Sequence, residues 1–204
     1  MDIEYRSTRT IELRKQGADA GDRLSLAGYA STFDTPYEVD GMVETISRSA
    51  FDATLLSKPD VFALISHDPG RPIARTTNGS LTLAVDEHGL RVIISPIDTQ
   101  EGRDAVTLVE TGTLDSMSFG FIVKDDAIEL RDGRMHREIR DLELHEVSIV
   151  AFPANPTARI ATRSKQRAET LLMQQTTKQN AIQLRRFLVV PPLANLKGSI
   201  NGTV

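Results

Sequence analysis

From Met117 to Val123 every second residue is large and apolar: Met117, Phe119, Phe121 and Val123. A period of two fits a β-strand, because successive strand side chains leave on opposite faces. The intervening positions, Ser116, Ser118, Gly120 and Ile122, leave the other face small and partly polar near Ser118. A core strand normally carries bulk on both faces. Hydroxyls and a glycine on one face leave room for something to approach the backbone. The plainer reading is that both serines face water, as they do on half-exposed antiparallel strands. The sharper one is that a peptide approaches and Ser118 attacks it.

Strand and hairpin signals recur along the chain. Tyr5–Gln16 alternates loosely around Ile11 and Leu13 and is expected to form an edge strand, and residues 17–22 have turn composition. Leu24–Ala30 reads as a strand, Phe33–Gly41 as a loop and Ile46–Leu56 as a short helix. Val61–Ile65 is a nearly continuous apolar strand, buried on both faces, that runs into Ser66-His67-Asp68-Pro69-Gly70. Leu81–Val85 and Leu90–Ile94 flank a turn and form a hairpin. Asp98-Thr99-Gln100-Glu101 resembles a capping box, and Gly112 sits where a helix-ending glycine belongs. A second hairpin is centred on Arg131-Asp132-Gly133-Arg134, and Leu142–Phe152 is a last long strand before Pro153 and Pro156. Many strands with two or three helices predict an α+β fold: a mainly antiparallel β-barrel or sandwich, the barrel preferred, with helices packed outside.

The net charge of −4 conceals an asymmetry. Seven basic residues and one acid give residues 161–204 a charge of +6, which leaves −10 on residues 1–160. The expected organisation is therefore a folded domain over 1–160 and a basic extension over 161–204. Composition favours a helix from Ala161 to Leu188 and disorder from Asn195 to Val204. An acidic protein surface, nucleic acid or the body itself would each suit such a tail, and so would plain solvent. The chain has no cysteine, so disulfides, thiolate metal sites and cysteine nucleophiles are excluded. No apolar run approaches the roughly 20 residues that span a bilayer. The acidic start, Met1-Asp2-Ile3-Glu4-Tyr5, lacks a signal-peptide pattern, and an unprocessed start inside a cell is expected.

Four histidines are present: His67, His88, His136 and His145. None is spaced as in a zinc protease, and no glycine-rich loop suggests a phosphate or dinucleotide site, so no cofactor is expected. His67 stands out because it ends a buried strand just before a loop, where the core can fix a ring that still reaches a cleft. His145 and Glu146 lie in an otherwise apolar strand, where a charge needs a partner. A serine, a histidine and an acid on neighbouring strands suffice for acyl transfer: the histidine takes the serine proton and the acid steadies the imidazole. Competing readings are an ion pair of Glu146 with Arg140 or Arg159, and a metal site built from His67, Asp68, His145 and Glu146.

Four segments, in order, resemble the prohead proteases of tailed bacteriophages, which are similar in fold to the herpesvirus assemblins. They are Gly28-Tyr29-Ala30-Ser31-Thr32-Phe33 with Ser49-Ala50-Phe51; His67-Asp68-Pro69 with Arg71-Pro72-Ile73-Ala74-Arg75; Met117-Ser118-Phe119-Gly120-Phe121; and Glu146-Val147-Ser148-Ile149-Val150 leading to Pro153-Ala154-Asn155-Pro156. The resemblance spans about Leu24 to Ala161. It implies His67 as general base, Ser118 as nucleophile and Glu146 as the acid. In the assemblins a second histidine fills the third role, which makes His145 the alternative. Adjacent strand residues point to opposite faces, so only one of the two is expected to face the site.

The function that the resemblance implies is that of a serine endopeptidase that cleaves the major capsid protein and its scaffold segment, and itself, inside the immature prohead in the host cytoplasm. Peptide is expected to dock beside the Ser118 strand by strand addition. Self-association as a dimer is a further expectation; a membrane and nucleic acid are not expected partners. The other classes are a non-catalytic assembly protein of the same fold and a metal-dependent hydrolase.

Overall fold

A computed structural model describes residues 3–9, 11–15, 24–33, 35–151 and 162–188. The strands are β1 (Glu4–Thr8), β2 (Glu12–Lys15), β3 (Leu24–Thr32), β4 (Tyr37–Val39), β5 (Met42–Ile46), β6 (Phe62–Ile65), β7 (Asp68–Arg75), β8 (Leu81–Val85), β9 (Gly89–Ile94), β10 (Ser116–Arg131) and β11 (Arg134–Val150). The helices are α1 (Asp52–Leu56), α2 (Gln100–Glu110) and α3 (Thr162–Leu188), with a 3₁₀ turn at Arg48–Phe51 leading into α1.

The fold is α+β, and its strands lie in two sheets; no closed barrel is found among the described residues. One sheet runs β1-β10-β11-β5-β4, with β6 also on β11 and β7 on β6. The other runs β2-β3-β9-β8 and is antiparallel throughout. The first sheet departs from the expected antiparallel pattern at β11. There the N-terminal half pairs in parallel with β5 over His136–Ile139, and the C-terminal half pairs in parallel with β6 over Glu146–Ile149. Between them the backbone N–H of Leu144 is taken up by the Thr54 hydroxyl of α1 at 3.1 Å, which answers the ladder bond that neither strand supplies.

Apolar faces of the two sheets meet in one core that includes Leu26, Phe51, Ile73, Val92, Phe119 and Val147. The alternation in β10 puts Phe119 and Phe121 on one face, where their rings stack at 4.8 Å and Phe51 packs against Phe119 at 5.8 Å. Burying each such ring stabilises the fold by about 1.5–3 kcal/mol. Helix α2 starts as the sequence implies: the Thr99 side chain accepts from the Gly102 N–H at 3.1 Å, and Gly112 follows the helix with φ +70°.

A second buried assembly is ionic. Arg6 of β1 binds Glu44 at 2.5 Å and Glu4 at 2.7 Å, while Arg137 of β11 binds Glu4 at 2.7 Å, Glu44 at 2.8 Å and Asp126 at 2.8 Å. Burial alone would lower the Arg137 guanidinium; Glu4, Glu44 and Asp126 outweigh it and hold its pKa above the usual arginine range. These residues fasten β1 to β10, β11 and β5. Arg167 of α3 joins them by binding Asp126. Ala168 is buried in a small cluster with Val39, Met42 and Met135, so the basic helix rests on the body at its start. No helix among the described residues is long and apolar enough to cross a membrane.

Several local expectations change. The expected loop Phe33–Gly41 contains β4, which turns back into β5 through Asp40 and Gly41 with φ 49° and 78°. The expected helix Ile46–Leu56 is strand to Ile46, then a 3₁₀ turn and a short α-helix. In place of one expected strand over Tyr5–Gln16 there are two, β1 and β2, in different sheets. The turn expected at 17–22, the two prolines after β11, the boundary at 160/161 and the segment 195–204 lie outside the described residues.

Candidate active site

His67 sits in a two-residue connection of the first sheet, like those at Asp40-Gly41 and Asp132-Gly133. Ile65 of β6 pairs with Asp68 of β7, so only Ser66 and His67 lie between them. Both have positive φ, 54° and 61°, the condition for a two-residue hairpin turn of the I′ kind. Non-glycine residues adopt this region at a cost of about 1–2 kcal/mol each. Two backbone bonds pin the turn to β11: the Ser66 N–H donates to the Ile149 carbonyl at 3.0 Å, and the His67 N–H donates to the Ser148 hydroxyl at 3.2 Å.

The imidazole is fixed from two sides. Its Nδ1 lies 2.8 Å from Glu146 Oε1, and the Tyr5 ring packs on it at 4.4 Å between centroids. Glu146 is almost wholly buried. Its second oxygen, Oε2, accepts from the Ser148 hydroxyl. A carboxylate offers acceptors only, so the neutral imidazole that makes this contact is the tautomer with its proton on Nδ1 and its lone pair on Nε2. Burial and, after it, the Glu146 charge push the Tyr5 hydroxyl above its ordinary pKa.

Glu146 reaches His67 because β11 bulges. Gly120 pairs with Glu146 and Phe121 with Leu144, so His145 is passed over in the ladder. Leu142 and Leu144 face the core before this point, and Val147 and Ile149 after it. The extra residue switches the phase of the strand and re-aims the side chains beyond it. His145 Nε2 is 3.4 Å from Glu143 Oε1, without hydrogen-bond geometry. Strand parity was expected to separate His145 from Glu146; with the bulge between the two halves it does not, and the 2.8 Å contact of Glu146 with His67 does. The bulge was legible in the apolar residues, which shift from even to odd positions between Leu144 and Val147.

Ser118 pairs directly with Ser148 on β11, which places both side chains on one face beside Gly120 and Glu146. It is fully buried, and its hydroxyl donates to the Arg6 carbonyl of β1 at 2.8 Å. Histidine and glutamate are thus in contact, while the serine shares their sheet face with its hydroxyl directed to β1. The neighbouring Ser116 donates to Asp115. Along Met117–Phe121, β10 is flanked by β1 on one side and β11 on the other, so a peptide cannot add as a strand there; that expectation is corrected.

Of the residues named in the competing readings, Arg140 binds Glu138, and Asp68 accepts from the Gly70 N–H at 2.8 Å. Arg159 lies outside the described residues. Among the described residues no group of three or more His, Asp or Glu side chains is arranged to hold a metal ion. Sequence reasoning gave no role to Tyr5 or Ser148, and gave Gly120 only that of leaving room beside the strand. Ser148 carries a readable signal: it is polar two positions from Glu146, on the same strand face, between apolar Val147 and Ile149.

A family model described as Caudovirus prohead serine protease matches residues 9–173. Among solved structures, the bacteriophage T4 capsid assembly protease, gp21, is similar with a TM-score of 0.50 at 9% identity, over 72% of this chain and 96% of that one. At that identity the likeness is one of fold. No curated protein matches the chain in sequence.

Proposed function

From a chain that belongs to the caudovirus prohead serine protease family, we propose a capsid maturation endopeptidase that uses Ser118, His67 and Glu146. The observation that carries the residue assignment is the 2.8 Å contact of His67 Nδ1 with Glu146 on the sheet face that bears Ser118. In the reaction the Ser118 hydroxyl turns from the Arg6 carbonyl to His67 Nε2. Ser118 Oγ attacks the carbonyl carbon of the scissile peptide while Nε2 takes its proton. The C–N bond breaks, the proton passes to the departing amine, and an acyl ester stays on Ser118. Water, deprotonated by the same imidazole, cleaves the ester, and the proton returns to Ser118. Glu146 holds the ring and offsets its charge in the steps where both nitrogens are protonated.

The substrates in this reading are the major capsid protein with its scaffold segment and the protease itself, cleaved inside the immature shell within the host cell. Residues 1–160 form the protease unit. The basic residues 161–204 serve as a targeting or scaffold-binding extension, with self-cleavage near its start, and the enzyme self-associates as a dimer.

One observation favours a second reading, a non-catalytic assembly protein: Ser118 is fully buried and its hydroxyl is spent on a backbone carbonyl. Intact mass of co-expressed capsid protein separates the two. A defined truncation with wild type that vanishes with Ser118→Ala supports the protease. Equal truncation in both samples removes Ser118 as nucleophile. Assembled shells with uncut capsid protein in both samples favour the assembly protein.

A further inference from the structure

We infer that Ser148 is a positioning residue for the His67–Glu146 pair; the inference rests on the protease reading for its kinetic consequence, while the geometry stands without it. The Ser148 side chain is fully buried, and its one hydroxyl is used twice. It accepts the backbone N–H of His67 at 3.2 Å and donates its own proton to Glu146 Oε2. Glu146 Oε1 then meets His67 Nδ1 at 2.8 Å. The three residues close a ring: His67 backbone to Ser148, Ser148 to Glu146, Glu146 back to the His67 side chain.

This ring does two things at once. It holds His67 at φ 61°, a backbone state that a histidine otherwise leaves readily. It also fixes the carboxylate rotamer, so that Oε1 and not solvent faces Nδ1. Either oxygen of a free carboxylate could turn to the imidazole; a donor on Oε2 removes that choice. Geometry within about half an ångström matters for proton transfer, and groups that orient a catalytic side chain set it. A serine that merely satisfied a buried N–H would accept from His67 and need no contact with Glu146.

The test uses the full chain in Ser148→Ala, Ser148→Thr and Ser148→Cys forms. Two readouts are taken: the downfield imidazole N–H resonance of His67, which needs no turnover, and the kinetics on a capsid-derived peptide. Thermal melting checks folding, and Ser148→Cys, close to serine in size but a weak donor, stands in if Ser148→Ala does not fold. The expected result is loss of the resonance in Ser148→Ala and Ser148→Cys. With it kcat falls roughly 10- to 100-fold, the scale for losing an orienting partner, while KM stays within about twofold because no substrate contact is removed. Ser148→Thr, which restores the hydroxyl and suits a strand, recovers both. A retained resonance with kcat within about twofold in Ser148→Ala overturns the inference. A resonance that depends on Ser148 in a wild-type chain without peptidase activity supports the positioning role and overturns the protease reading instead.

Discussion

Gly120 and Glu146 face each other across the β10–β11 ribbon so closely that a Cβ on Gly120 would stand 2.6 Å from Glu146 Oε1 and 2.9 Å from the Tyr5 ring. The glycine is needed for space, because the carboxylate reaches His67 by crossing over it. Gly120→Ala is expected to push Glu146 off His67. Displacements of about 1 Å at a reacting group lower rates by about 10²-fold, so kcat/KM on a capsid-derived peptide falls by that order. The accompanying overpacking costs about 1–3 kcal/mol, read from urea unfolding. Unchanged kinetics in a folded Gly120→Ala chain would remove Glu146 from the mechanism.

The ionic assembly distinguishes two arginines that look alike in the sequence. Arg137 is sealed among Glu4, Glu44 and Asp126, whereas about half of the Arg167 side chain is exposed. Removing one partner from a buried charged cluster costs about 3–5 kcal/mol; Arg167 is half in solvent, and Asp126 keeps Arg137 without it, so losing that contact costs less and is partly screened by salt. Arg137→Ala is therefore expected to lower the urea midpoint severely, at low and high salt alike. Arg167→Ala is expected to shift it slightly, and less so in high salt.

Alkaline pH probes the packing on His67. Burial raises both the Tyr5 and the Tyr37 hydroxyls above the ordinary 10.0, with the Glu146 charge adding to the effect at Tyr5. In the unfolded chain these groups lose their protons near that value, while the folded chain keeps them. The folded state then binds more protons, so stability is fully present below pH 10 and falls as pH rises through the folded values. Thermal melts across this range are expected to show that decline, reduced in Tyr5→Phe. A decline identical in wild type and Tyr5→Phe would place its origin elsewhere.

Ser66 is exposed and has φ 54°, a region where asparagine is more at ease than serine. Ser66→Asn is expected to raise stability by about 0.5–1 kcal/mol with kcat unchanged. Lower stability would mean that the turn is not the source of strain described for it.

The legibility of each feature in the sequence depends on the kind of interaction involved. Hairpins written in local chemistry, such as Asp132-Gly133 between β10 and β11, could be read directly, as could the Thr99 cap of α2. The Asp40-Gly41 turn carried the same signal but lay among polar residues that read as loop. The full length of β10 and β11 was hidden because beyond Val123 both strands turn polar. Glu4, Arg6, Glu44 and Arg137 are charged and mostly have polar neighbours, so they read as solvent-facing; only the tertiary fold turns them inward and pairs them. For the site, the resemblance to the prohead proteases pointed to His67, Ser118 and Glu146, with His145 as the alternative to Glu146. The ring through Ser148 and the cover of Tyr5 depend on contacts between segments far apart in the chain, whereas the bulge at His145 is written in the apolar residues on either side of it.

The two-residue turn that carries His67 also governs how such a site can change over time. Because only Ser66 and His67 separate Ile65 from Asp68, a length change inside the turn displaces the imidazole by whole residues of about 3.3 Å, whereas the ladder already accommodates Pro69, Gly70 and Arg71 just beyond it. Drift by substitution around the turn is graded and can be selected upon; an insertion or deletion there is all-or-none. Among related chains, length variation is therefore expected to collect in other connections, while the Ile65-to-Asp68 spacing stays constant even where the residues inside it differ.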